Sequence, residues 1–187
     1  VVELYDKFFR NAFPKMTERL GIVYTPVEVV DFIIHSVNAL LQKEFGQTLG
    51  DEDVHIIDPF TGTGTFITRL LQSGLITKEQ LPNKYKNEIH ANEIILLAYY
   101  IAAINIEAVY HSIVGGEYQS FDGICLTDTF QLYEKDDLIS ELLVDNSDRR
   151  KRQKELDIRV IIGNPPYSAG QASANDNNQN IEYAGLD

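Results

Sequence analysis

Several things are scarce in this sequence. It has one cysteine, Cys125, so no disulfide can close within the chain and nothing calls for an oxidising compartment. The opening residues do not read as a secretory signal, and the expected location is the cytoplasm. Long hydrophobic runs are missing as well. The most membrane-like stretch, Ile94 to Ile104, meets Asn105 and Glu107 well short of the roughly 20 apolar residues a bilayer needs, so it reads as a buried helix, with no membrane partner. Positive charge is also short: 16 Lys and Arg face 28 Asp and Glu, for a formal charge of −12. That balance argues against a surface that grips phosphates strongly by itself. The one basic run, Arg149, Arg150, Lys151, Arg152 and Lys154, reads as a solvated helical face, with a phosphate contact as the alternative. The four histidines show no metal-ligand spacing with one another or with Cys125, so no metal is expected.

What is present suits one core. A chain of 187 residues that is 44% hydrophobic can bury a single globular domain. Apolar residues in Val1 to Phe13 recur at helical spacing, and Pro14 ends that helix. Next comes a helix start, with Thr25 as N-cap, Pro26 at the first helical position and Glu28 completing a capping box. Behind it Val29, Val30, Ile33, Ile34, Val37, Leu40 and Leu41 form one apolar face, and Gly46 or Gly50 opens the following turn. Four short runs read as strands buried on both sides: Val54 to Pro59, Glu88 to Glu93, Gly123 to Asp128 and Val160 to Gly163. Helical patterns separate them, over Thr65 to Gln72, Ile94 to Ile113 and, with interruptions, Leu132 to Leu156. This alternation predicts an α/β fold with a parallel sheet and right-handed crossovers, in which ligands bind beyond the carboxyl ends of the strands.

The polar signatures fall at those ends. Asp58-Pro59-Phe60-Thr61-Gly62-Thr63-Gly64-Thr65-Phe66 is a glycine turn between a strand and a helix, where Gly62 and Gly64 permit close approach of a ligand to backbone N–H groups. No Gly-Lys-Ser/Thr follows, so it is not a phosphate loop of the nucleotide-triphosphate type. Ile67 at the third glycine position makes a nicotinamide fingerprint a poor fit. Asn92-Glu93-Ile94 ends the second strand, and an ionised Glu93 there can accept from both hydroxyls of a ribose. Asp128, before Thr129, ends the third and can accept from the amine of an adenine, or simply serve as a turn residue. The fourth run ends Asn164-Pro165-Pro166-Tyr167. Its prolines remove two backbone donors and stiffen the turn, leaving carbonyls and the Asn164 side chain as acceptors beside an aromatic ring.

Together these residues resemble the N6-adenine and N4-cytosine DNA methyltransferases, over nearly the whole chain. The resemblance assigns Gly21 to Pro26, including Tyr24, Thr25 and Pro26, to the methionine end of S-adenosylmethionine. It assigns Asp58 to Phe66, with Phe60, Thr61, Gly62, Gly64 and Phe66, to the glycine turn, Asn92, Glu93 and Ile94 to the ribose, and Asp128 with Thr129 to the cofactor adenine. Asn164 to Tyr167 would be catalytic. The gap between Asp128 and Asn164 is too small for a target-recognition domain, which is the gamma-type motif order. Phe9 to Lys15 and Asn164 to Gln171 further resemble the methyltransferase part of helicase-fused type ISP restriction-modification enzymes. That implies a nuclease and helicase before Val1 and a recognition domain after Asp187.

The expected fold is then a Rossmann-like methyltransferase sheet holding strands 3-2-1-4, with the later strands missing and the fourth at an open edge. Residues 1–20 would form an N-terminal helical segment, 21–167 the cofactor-binding catalytic domain, and 168–187 a mobile loop after the catalytic turn. Asp58 would meet the α-ammonium of the cofactor, while Thr25 and the helix start behind it would meet its carboxylate. Tyr167 would stack on a flipped adenine whose amine hydrogens go to Asn164 Oδ1 and the Pro165 carbonyl. The isolated chain is expected to be inactive. N4-cytosine methylation, a catalytically silent methyltransferase-like module and, more distantly, a nicotinamide-dependent dehydrogenase remain open on the sequence.

Overall fold

The computed structural model describes residues 25–130 and 144–165, with Val144 in backbone only. Readings that fall on 1–24, 131–143 and 166–187, including the first helix, Tyr24, Pro166, Tyr167 and the loop after the catalytic turn, lie outside the described residues.

Four parallel strands form the sheet: β1 (His55–Asp58), β2 (Ile89–Glu93), β3 (Ile124–Leu126) and β4 (Ile158–Ile161), in the order β3-β2-β1-β4. Ile57 pairs with His90 on one side and Ile161 on the other, and Asn92 pairs with Cys125. Three helices alternate with the first strands: α1 (Val27–Phe45), α2 (Thr65–Gln72) and α3 (Leu96–Val114); α4 (Val144–Lys154) precedes β4. Ile56, Ile89, Ala91, Ile124 and Val160 from the strands join Val30 and Ile34 of α1, Ile67 and Leu70 of α2, and Ala102 and Ile106 of α3 in one core. Arg69 binds Asp31 in a two-point fork, Nε to Oδ1 at 2.8 Å and Nη2 to Oδ2 at 2.7 Å, which fastens α2 to α1.

The helix ends follow local chemistry. At the end of α1, Gly46 takes φ 65°, its N–H donates to the Gln42 carbonyl, and Gln47 N–H donates to the Leu41 carbonyl. That is the left-handed helix stop for which glycine is suited. The start of α1 corrects the sequence reading. Pro26, not Thr25, is the N-cap, no side chain caps the helix, and the capping box with Glu28 does not form. Thr25 Oγ1 is instead engaged by Asn164, 139 residues away, a tertiary contact that local pattern does not reveal.

Two burial expectations also need correcting. β4 runs from Ile158, two residues earlier than expected, and only one of its faces is buried: Val160 and Ile162 enter the core while Arg159 and Ile161, which alternate with them, are exposed. On α3 only one face is buried, through Ala98, Ala102, Ile106 and Tyr110 at four-residue spacing, while Leu96, Leu97, Tyr100 and Ile104 stay exposed. By length and composition alone α3 is apolar enough to cross a membrane. Here it lies along the sheet against β2, β3 and α2. On α1, Val29 and Leu40 likewise face outward.

The far side of β3 is closed by one side chain of α4. Asn146 Oδ1 accepts from Leu126 N–H at 2.7 Å, and Asn146 Nδ2 donates to the Leu126 carbonyl at 3.0 Å. Both backbone groups that would otherwise face outward at Leu126 are thereby paired.

Candidate functional site

The carboxyl ends of β1 and β2 hold two buried carboxyl groups. Asp58 is fully buried; its Oδ1 accepts from Phe60 N–H at 3.1 Å, and its Oδ2 has no hydrogen-bond partner among the described residues. Burial pushes the Asp58 carboxyl up to about 7, with the Phe60 N–H pulling it down and the Glu93 charge adding to the rise. An unpartnered buried carboxyl oxygen is costly unless a donor or cation arrives to meet it. Glu93 is nearly buried, and burial raises its carboxyl too, against the N–H groups of Ile95, Gly62 and Ile94.

Glu93 also shapes the glycine turn. Its Oε2 accepts from Gly62 N–H at 2.8 Å and its Oε1 from Ile95 N–H at 2.7 Å. Thr61 N–H donates to the Asn92 carbonyl at 3.0 Å, so the turn is tied to the end of β2 at two points. Gly62 and Gly64 both have positive φ, 56° and 86°. A side chain at Gly64 would also press on Ile106 and on the Cα of Ala102, so glycine lets α2 and α3 approach there. Phe66 sits in the core behind the turn, whereas Ile94 is exposed beside Glu93.

The loop after β3 closes over the same end. Thr129 Oγ1 donates to the Pro59 carbonyl at 2.6 Å, the rings of Phe60 and Phe130 meet at 5.3 Å, and Asp128 Oδ1 accepts from Phe130 N–H at 3.0 Å. From the other side β4 delivers Gly163 against Asp58, where a Cβ would come within 2.6 Å of Oδ1. Asn164 follows, its Nδ2 donating to Thr25 Oγ1 at 3.1 Å. Thr25, Asp58, Phe60, Thr61, Gly62, Asn92, Glu93, Asp128, Thr129 and Asn164 are thus linked by neighbouring bonds around the end of β1, with Pro165 exposed next to Asn164.

Sequence reasoning missed two supports of this site. Asn105 Nδ2 donates to the Thr63 carbonyl at 3.0 Å and holds the turn from α3; the only hint was a polar residue breaking an apolar helix. The packing of Gly163 against Asp58 left no trace in the sequence. Asn92 belongs to the expected ribose signature, yet its amide is wholly buried on the opposite face of β2 from Glu93, with no hydrogen-bond partner among the described residues. A separate cavity of about 300 Å³, lined by Tyr85, Lys86, Tyr118, Gln119, Ser120 and Asp122, lies towards the amino ends of β2 and β3, away from this cluster. Among the described residues no group of three or more His, Cys, Asp or Glu is placed to hold a metal.

Residues 1–186 match the family model of the N-6 DNA Methylase. No match was found among curated proteins. Three solved structures are similar. A DrdV–DNA complex has 48% identity and a TM-score of 0.86, covering 96% of this chain and 17% of that one. A nuclease-deletion mutant of the type ISP restriction-modification enzyme LlaGI, in complex with a DNA substrate mimic, has 53% identity and a TM-score of 0.82, covering 98% and 15%. The ATP-dependent type ISP restriction-modification enzyme LlaBIII bound to DNA has 54% identity and a TM-score of 0.78, covering 91% and 12%. This chain therefore spans under a fifth of the length of each. With the 3-2-1-4 sheet, the glycine turn and the match over 1–186, the chain belongs to the N-6 DNA methylase family.

Proposed function

We propose that this chain carries the cofactor-binding and catalytic-turn part of a DNA methyltransferase that acts on adenine N6 within a restriction-modification enzyme. The observation that carries the reading is the placement of Asn164: an acceptor-bearing turn at the end of β4, one residue from the Gly163–Asp58 contact. The N-6 family match favours adenine over cytosine N4. The similarity to type ISP enzymes solved with DNA supports a longer cytoplasmic protein in which helicase, nuclease and recognition parts act on the same DNA.

The residues present fit S-adenosylmethionine. Asp58 Oδ2 offers a buried, unpartnered carboxyl oxygen to an ammonium group, and the glycine turn presents backbone without side chains in the way. Glu93 is assigned to the ribose hydroxyls through its remaining lone pairs, since each oxygen already accepts one N–H. Asp128 and Thr129 are assigned to the adenine end, Ile94 and Phe60 to packing on it, and Thr25 with the start of α1 to the carboxylate. The cofactor supplies an electrophilic methyl group on sulfonium sulfur.

The chain's own task is to prepare a weak nucleophile. The N6 lone pair is delocalised into the ring, and the base has to leave the duplex stack to be reached. Asn164 Oδ1 and the Pro165 carbonyl accept the two amine hydrogens, turn the lone pair towards the methyl group and stabilise the positive charge that develops on nitrogen. Tyr167, outside the described residues, is assigned by the resemblance to stack on the base. In the full-length protein, Asn164→Ala is expected to lower methyl transfer at least about a hundredfold while leaving cofactor affinity within about threefold. Retained transfer, followed with radiolabelled cofactor, would remove Asn164 from catalysis.

A further inference from the structure

We infer that Thr25 is a positioning residue whose hydroxyl sets which end of the Asn164 carboxamide faces the target base. The inference rests on the methyltransferase reading above and adds a role that sequence motifs do not assign. Catalysis on an amine needs Asn164 to present oxygen. A carboxamide is nearly symmetric in shape, and its terminal torsion is broad and roughly two-fold, so a half-turn would present the NH2 group and oppose two donors. A partner that accepts from the nitrogen on the other side favours the productive orientation. In the structure Thr25 Oγ1 is such a partner, accepting from Asn164 Nδ2 at 3.1 Å.

A hydroxyl can satisfy a carboxamide in either orientation, by accepting from its nitrogen or by donating to its oxygen. Which one holds depends on where the hydroxyl proton goes. Thr25 stands immediately before Pro26, the N-cap of α1, and does not spend its side chain capping the helix. Its proton is therefore available to an anion at that helix start, where the dipole and the first N–H groups favour negative charge. Once the proton points to such an anion, Thr25 turns only lone pairs to Asn164 and supports only the orientation with Nδ2 on Thr25 and Oδ1 towards the base. The cofactor carboxylate assigned to this place thus orders the base acceptor through one hydroxyl. Hydrogen bonds in such a chain also polarise one another, making Oδ1 a better acceptor.

The experiment compares wild type, Thr25→Val and Thr25→Ser in the full-length protein. It measures single-turnover methylation at saturating cofactor and DNA, cofactor affinity, and binding to DNA carrying either adenine or purine at the target. Valine matches threonine in shape and lacks the hydroxyl; serine keeps it. Thr25→Val should slow the saturated single-turnover rate about ten- to a hundredfold, lose wild type's preference for adenine over purine, and be rescued by Thr25→Ser to within about threefold of wild type. A valine variant whose defect disappears as cofactor concentration rises would show that Thr25 only binds cofactor, and would overturn the inference. So would an unchanged rate, or an intact preference for adenine. A wild-type protein that methylates no adenine would overturn the methyltransferase reading first, before any variant is compared.

Discussion

Replacing Asp58 by asparagine tests the electrostatics of the site most directly. In the ligand-free protein the Asp58 carboxyl is held up to about 7 by burial, and its Oδ2 has no hydrogen-bond partner among the described residues. If cation binding requires the carboxylate, affinity is reduced by the fraction that remains protonated. With a pKa of about 7 that fraction is about one half at pH 7 and about nine tenths at pH 6. Affinity for S-adenosylmethionine should therefore fall about fivefold from pH 7 to pH 6, about 1 kcal/mol, a window in which the ligand's own α-ammonium, titrating at about 8, mostly keeps its proton. The same shift has the opposite sense for stability. A carboxyl raised from 3.8 to about 7 holds its proton better folded than unfolded, so the ligand-free fold loses stability as pH climbs through that window. Asp58→Asn keeps an oxygen for the Phe60 N–H but removes the charge. Its cofactor affinity should be weak and flat with pH, and its stability should lack the fall between about pH 4 and about pH 7. Calorimetric titration of the full-length protein from pH 6 to pH 7 reads the first effect. A flat wild-type profile, or the same slope in Asp58→Asn, would show that Asp58 does not meet the cation.

Two further substitutions probe the supports. Glu93→Ala removes the acceptor for Gly62 N–H and Ile95 N–H together; cofactor affinity should drop at least about tenfold and hydrogen exchange should quicken at both amides, whereas equal affinity in the variant would refute the ribose assignment. Gly163→Ala places a methyl group where Asp58 Oδ1 lies 2.6 Å away. It should cost about 1–3 kcal/mol in stability and weaken cofactor binding, and a variant indistinguishable from wild type in melting and titration would show that β4 can slide away from Asp58.

The sheet was legible because its evidence is local and repeated. Apolar runs ending in Asp58, Glu93 and Asp128 announce strands whose polar ends share one edge, and the parallel order follows from the intervening helices. Thr65–Gln72 matches its expected bounds because a glycine turn marks its start and Gly74, at positive φ, stands just beyond its end. Features set by distant partners were less visible. Thr25 has the chemistry of an N-cap, yet a residue 139 positions away claims its hydroxyl. The exposure of Ile161 and of one side of α3 depends on what lies beside them, which alternation within a single segment does not record. The sequence shows what Glu93 offers a ligand; its grip on Gly62 depends on the register of β1 against β2.

The carboxamide of Asn146 gives the sheet a direction of growth. By pairing with both backbone groups of Leu126 it occupies the positions that an incoming strand would use, so addition beside β3 is blocked there. Beside β4 no further strand lies among the described residues. A strand added to the described sheet would be turned away at Leu126 and not at β4, whose carboxyl end carries Asn164.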